Sequence, residues 1–164
     1  MGYKFRHKLA IVLVSVLFAL ILMPDTSLYS QKQNEFDFKS SSPEEFIEFL
    51  KDHIHPLGFY PIDDAQIDND WIKEEHIPKL MELIDSKEPC LNVVSMYSST
   101  LPFKLSTVGN EAIFLIQGFR KNRYPPQLTS MNISSSEKEE ILKWWQDRQK
   151  QNKQLHKIDT ENNP

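Results

Sequence analysis

Three of the five histidines, a run of acids and one cysteine are the residues whose types could do chemistry here. His53 and His55 are two apart, and His76 lies in another element. A zinc pair on a helix wants spacing of three or four, and residues two apart on a helix point about 200° away from each other. Asp64, Asp68 and Asp70 have the type and rhythm of calcium ligands. Counted from Asp68, however, the glycine and the closing acid of a calcium loop are replaced by Lys73 and Lys79. Cys90 shares a helical spacing with Val93, Val94 and Tyr97, which reads as a small core residue rather than a reactive thiol. No Gly-x-Ser-x-Gly elbow exists, and neighbouring acids such as Glu74-Glu75 and Glu139-Glu140 diverge in space and suit helix starts. No metal and no cofactor is expected from these patterns.

What remains is a set suited to binding. Arg120 and Tyr124 flank the end of the most strongly patterned segment, beside Pro125-Pro126. Trp71 and the adjacent Trp144 and Trp145 add large amphipathic rings. Two consecutive tryptophans on a helix sit about 100° apart, so at least one is partly exposed. Exposed aromatics with arginine are typical of recognition surfaces. Arg120, Tyr124, Trp71 and Trp144 are therefore the candidate binding residues.

The elements that must position them read as helices. Ser42-Pro43-Glu44-Glu45 holds a cap, a proline at the first helical position and a capping box. Phe46, Phe49, Leu50 and Ile54 then form a stripe. Residues 74–85 give a second helix through Ile77, Leu80, Met81 and Ile84, with Pro78 tolerated in the first turn. Residues 89–98 give a third by the period of Cys90, Val93, Val94 and Tyr97. Ser106 or Thr107 caps the fourth. Its face is Val108, Ala112, Leu115, Ile116 and Phe119, with Glu111, Gln117 and Arg120 turned away. Ser136 and Glu139 open a fifth over about residues 137–152, with Ile141, Trp144 and Trp145 inward. Phe36 and Phe38, within the polar stretch 31–42, could pack on the domain. The expected fold is all-α: about five helices in a small irregular bundle.

The organisation is a leader, 1–30; a polar linker, 31–42; a helical domain, 43–152; and a frayed polar tail, 153–164. Lys4, Arg6 and Lys8 precede an apolar run over residues 9–23 interrupted only by Ser15, then Pro24 and Asp25. That is the layout of a secretory signal peptide. Cleavage after Ser30 would release the domain; retention would anchor it. Fifteen helical residues reach only about 22 Å, short of a bilayer core of about 30 Å. Either way the positive start keeps the N-terminus inside and sends residues 31–164 outward. Localisation is thus periplasmic, secreted or membrane-anchored, and any membrane contact is expected only through residues 9–23.

The chain holds 19 Lys+Arg and 23 Asp+Glu, net −4. Residues 1–30 carry three of the cations and one of the acids, so the remainder has 16 against 22, net −6. That balance excludes a nucleic-acid surface, which needs a basic stripe. With one cysteine, no internal disulfide can form.

Over residues 71–121 the chain resembles HEAT-like helical-pair proteins of the bacterial envelope. Pro78 sits early in the first helix of a pair, as is common in that family. The family's Asp and Arg signals are replaced by Asn92 and Ser95, and no repeat period is visible. The resemblance implies helical pairs over that stretch; the functional expectation rests on the leader, the helical architecture and the lack of a catalytic constellation. The expected function is a non-catalytic exported binding module with a protein partner; the alternative is an envelope hydrolase with dispersed catalytic residues.

Overall fold

In the computed structural model the described residues are 35–161, with side chains through 154. The leader, its cleavage site and the last three residues lie outside them. The described residues from Phe36 onward form one compact unit. No helix among the described residues is long and apolar enough to cross a membrane.

Helix α1 (Pro43–Asp52) starts where its cap demands. Ser42 Oγ accepts from Glu45 N at 3.2 Å, and Glu45 Oε2 accepts from Ser42 N at 2.7 Å. Phe46, Ile47 and Leu50 are fully buried along its inner face. Ile54, expected to extend that stripe, is 44 % exposed, because the helix ends at Asp52 and the chain turns away. The arm before α1 is docked. Phe36 is buried, its N–H donates to the Tyr60 hydroxyl at 2.9 Å, and Trp71 Nε1 donates to Ser41 O at 2.8 Å.

Strand β1 (Phe59–Ile62) follows, then short 3-10 turns at Asp64–Gln66 and Glu74–His76. Helix α2 (Ile77–Leu83) continues from the second turn, with Pro78 in its first turn as expected.

Residues 89–98 correct the all-α expectation. They form strands β2 (Pro89–Cys90) and β3 (Asn92–Ser95), not a helix. The fold is mixed: four helices and four short strands among the described residues. Strand β3 runs parallel to β1, pairing Phe59 with Asn92 through Ile62 with Ser95. On its other side Val94 bridges Thr129, with Ser95 N donating to Leu128 O and Ser130 N to Val93 O. A strand paired on both edges and covered on both faces buries every residue, and Cys90 through Ser95 are all buried. In such a run a helical period is an accident of which positions happen to be apolar. Tyr97, the last member of the expected helical stripe, is 70 % exposed. In the stretch 71–121, a strand thus stands where the second helix of a pair was expected.

Strand β4 (Ser106–Thr107) pairs antiparallel with β2 and leads into α3 (Val108–Lys121). Thr107 caps α3 by accepting from Asn110 N at 3.3 Å. Val108, Ala112, Leu115 and Ile116 are buried as expected. Glu111 and Gln117, expected to face solvent, are buried too. The cause is that α3 is central: α1, α2, β4 and α4 all pack on it, so it has no free face over its first three turns. Asn122 takes the left-handed conformation (φ 51°) and ends the helix. The Tyr124–Pro125 bond is cis.

Helix α4 (Ser135–Glu161) begins two residues earlier than expected and runs past the expected end at 152. Its capping box is Ser134 with Glu137, not Ser136 with Glu139: Glu137 N donates to Ser134 Oγ at 3.2 Å and Ser134 N to Glu137 Oε2 at 2.7 Å. Ile141 is fully buried and Trp144 and Trp145 half-buried. Arg148 and Glu74 form a two-point ion pair, and Lys138 pairs with Asp85, tying this helix to the 3-10 turn and the end of α2.

Candidate functional site

The four residues singled out from sequence divide into two pairs. Trp71 and Tyr124 are core residues, 8 % and 4 % exposed. Their rings meet at 5.3 Å, and both pack against Phe46, with Phe114 beneath Tyr124 at 5.7 Å. They join α1, α3 and the 120s loop and present nothing to a partner in this conformation. Arg120 and Trp144 meet on the surface, the guanidinium 5.6 Å from the ring centre. Arg148 lies at the same distance from that ring and 5.9 Å from Phe119. This cluster fastens α4 to α3.

The histidines are occupied locally. His53 Nδ1 lies 2.8 Å from Phe49 O with its ring stacked on Phe49, while His55 and His76 bond the N–H groups of Leu57 and Lys73. Among the described residues no three or more His, Cys, Asp or Glu side chains are grouped to hold a metal.

Behind β3 and β4 lies a layer of buried polar groups that sequence reasoning missed. Glu111 Oε1 accepts from Ser130 Oγ at 2.7 Å, and Ser130 Oγ in turn accepts from Val93 N at 2.9 Å. Ser106 Oγ lies beside the same carboxyl without a well-formed hydrogen bond, and Glu111 Oε2 also completes none. Burial pushes the Glu111 carboxyl up to about 8, with the Ser106 and Ser130 hydroxyls pulling part of the way back. Burial, then the nearby Glu111 and Glu88, push the Cys90 thiol up, against a small opposing effect of Lys51. This thiol stays protonated, so it is a poor nucleophile. Neither Cys90 nor Glu111 has enough exposure to meet a substrate.

In front of that layer opens a groove of about 670 Å³. Lys104, Leu105, Ser106 and Thr107 form one wall and Met131, Asn132 and Ile133 the other; Asn92 and Asn110 contribute amides, and Phe103 stands at the rim. Asn92 fixes the first wall by donating to Gly58 O at 2.9 Å and Lys104 O at 2.7 Å. The groove sits at the start of α3, a place where anions often bind. Here the first-turn donors are already taken: Val108 N by Glu88 O, Gly109 N by Ser86 O and Asn110 N by the Thr107 hydroxyl. What the groove offers is neutral amides and hydroxyls, apolar walls and one cation, Lys104. Its members come from three stretches far apart in sequence, so no local motif announces it. The chain matches no family model, no curated protein and no solved structure, so this geometry is what bears on function.

Proposed function

We propose that the protein is an exported, non-catalytic binding module of the cell envelope, and that the groove beside the start of α3 holds a short extended segment of a protein partner. The observation that carries this reading is the groove's chemistry. The side chains of Asn110 and Asn132 both donate and accept and so match the N–H and C=O groups of an extended peptide, while Asn92, with both amide hydrogens committed to Gly58 O and Lys104 O, shapes the wall. Leu105, Met131 and Ile133 give apolar walls for its side chains. The single charge, Lys104, favours a neutral or acidic segment. The enclosed, protonated state of Cys90 and the enclosure of Glu111 speak against the hydrolase alternative.

The test places a photo-crosslinking residue at Met131 or Asn110 in the full chain, expressed in an exporting bacterial host. Both positions should trap the same protein, and a crosslinker at exposed Lys79 on α2 should not. The purified partner should then bind stoichiometrically, and Ile133→Asp should weaken binding without unfolding the domain. Equal trapping from all three positions would defeat the proposal. So would substrate turnover that disappears on Glu111→Gln while the fold persists. Export itself is tested by a phosphatase fused after Pro164, which should be active outside the cytoplasm.

A further inference from the structure

The two walls of the groove converge, behind it, on one buried carboxyl. Ser106 of β4 belongs to the first wall, and Ser130 directly precedes Met131 of the second. Ser130 Oγ donates to Glu111 Oε1 at 2.7 Å, and the Ser106 hydroxyl stands beside the same carboxyl from the other side. Each wall has its own anchorage in the strands. Asn92 holds Lys104 O, Ser106 is paired with Cys90, and Ser130 exchanges two bonds with Val93. Among the described residues no hydrogen bond joins residues 103–107 directly to residues 131–133. Glu111 is thus the polar group that both walls share, and at 1 % exposure it is shut off from the groove by the two serines.

A neutral carboxyl suits this place. Its proton gives Oε2 a hydrogen to donate, and Ser106 Oγ, the other partnerless atom, can accept it. The acid then holds Ser130 with one oxygen and Ser106 with the other. An ionised carboxyl does not suit it. A carboxylate can only accept, and burying one without a cation is costly. The surroundings bring no such cation. Cys90 from β2 and Tyr124 from the segment after α3 face Glu111, and burial keeps both neutral. Lys51 of α1 and Glu88 act on Cys90, and Asp64 acts on Tyr124. None of these three, and no charge of α2 or α4, is among the groups that set the Glu111 carboxyl. Further donors must therefore come from water, and the groove that Ser106 lines is where water can reach it.

We infer that Glu111 is the clasp of the groove: its protonated carboxyl bonds the two walls together from behind, and loss of the proton parts them to admit water, so that groove occupancy is linked to proton binding. The consequence for a ligand rests on the peptide reading; the clasp does not. Glu111 acts through Ser106 and Ser130 and is a positioning residue. A segment seated in the groove keeps water from the carboxyl and favours the protonated form. Binding then takes up a proton. Affinity is full below the Glu111 midpoint of about 8 and falls by up to about tenfold per pH unit above it.

Every buried core side chain lies between Phe36 and Ile141, so residues 31–164 hold the folding unit and can be tested free of the apolar leader. Lys104→Cys with Asn132→Cys puts a spin label on each wall at an exposed position; Cys90, fully buried, does not compete for the label. Asp52→Cys with Lys79→Cys, exposed on α1 and α2, is the reference pair. Distances are read by pulsed dipolar resonance from about pH 6 to about pH 9. The groove pair should lengthen with a midpoint near that of Glu111, and the reference pair should not. With Glu111→Gln, whose amide bonds both hydroxyls without titrating, the groove pair should keep its short distance throughout. A groove distance that stays constant with Glu111 in place overturns the inference, whether or not the Gln variant folds. So does lengthening of both pairs together, which is loosening of the whole domain, or lengthening that persists in Glu111→Gln. Crosslinkers at Met131 and Asn110 that trap no partner would remove the peptide reading and leave the distance result to decide the clasp.

Discussion

Glu111 makes the stability of this domain depend on pH in a direction opposite to that of most carboxylates. It is 1 % exposed; one oxygen accepts from Ser130 and the other has no partner. Burial raises its folded-state value from 4.5 to about 8. Below 4.5 the carboxyl is protonated in both states and nothing is lost. Between 4.5 and about 8 the folded state holds a proton that the unfolded state has released, so stability falls as pH rises. Above that window the loss is complete. At about 1.4 kcal/mol per pH unit, the full window amounts to a ceiling of roughly 5 kcal/mol. Total stability for a domain is about 5–15 kcal/mol, so even half of that ceiling is readily measured. No cation is among the groups that set this value. The titratable groups that sense Glu111, Cys90 and Tyr124, are themselves pushed toward their neutral forms at ordinary pH.

Glu111→Gln removes the titration and keeps the shape. The amide oxygen still accepts from Ser130, and the amide nitrogen gives Ser106 Oγ a donor. Urea unfolding of residues 31–164 from about pH 5 to about pH 8 should show wild type losing stability across that range while the Gln variant stays nearly flat. At the alkaline end the variant should be the more stable by a few kcal/mol, of the order of half the ceiling derived from the raised value. A flat wild-type profile, or a Gln variant weaker than wild type at about pH 8, would refute the argument, since an ionised, hydrogen-bonded Glu111 would then be worth keeping.

Gly109→Ala should destabilise despite the gain of about 0.8–1 kcal/mol in helix propensity. A Cβ there would stand 2.7 Å from the carbonyl oxygens of both Ile84 and Ser86, which are backbone and cannot rotate aside. A net loss of about 1–3 kcal/mol is expected, seen as a lower melting temperature and exceeding that of Gly118→Ala, whose nearest obstacle is the Tyr124 ring at 3.0 Å. Leu115→Ala, at a fully buried position, should cost about 2–5 kcal/mol. Arg120→Ala should cost no more than about 0.5–1 kcal/mol, the worth of an exposed guanidinium over a ring, so equal losses in urea titrations would show that Arg120 carries core structure.

Local signals were legible where one side of an element decides its fate. Ser42 and Glu45 announce α1 because a capping box is closed within four residues. Val108, Ala112, Leu115 and Ile116 announce α3 because one strong stripe must be buried whatever covers it. The failures occur where covering comes from several sides. Asn92 to Ser95 pair on both edges and bury both faces, so neither alternation nor a true helical period exists to be read. Glu111 and Gln117 look outward on a helical projection and are buried because four other elements surround α3. Tyr124 and Trp71 looked like a binding pair for the related reason that aromatics serve cores and surfaces alike. Their ring contacts with Phe46 come from distant segments. The groove assembles from residues near 92, 103–110 and 132, which become neighbours only once β3 has been placed between β1 and the 128–130 segment.

One signal for the exposed face was nonetheless present in the sequence, in the distribution of charge rather than its sum. Acids are dense before Pro89 and return at Glu137, and the interval between them holds only Glu111. Part of that interval is core and would exclude acids anyway: β3 and most of α3 are buried. Core exclusion does not explain the loop at 96–105, which is largely exposed and could carry acids as freely as the loop at 63–70 does. A surface with many acids elsewhere and none there has a composition set by something other than solubility. The loop at 96–105 also exposes its largest apolar side chains, so the two departures coincide on one segment. A helix-centred reading treats that segment as a connection between elements. Among the described residues it is the segment that exposes the most large apolar side chains.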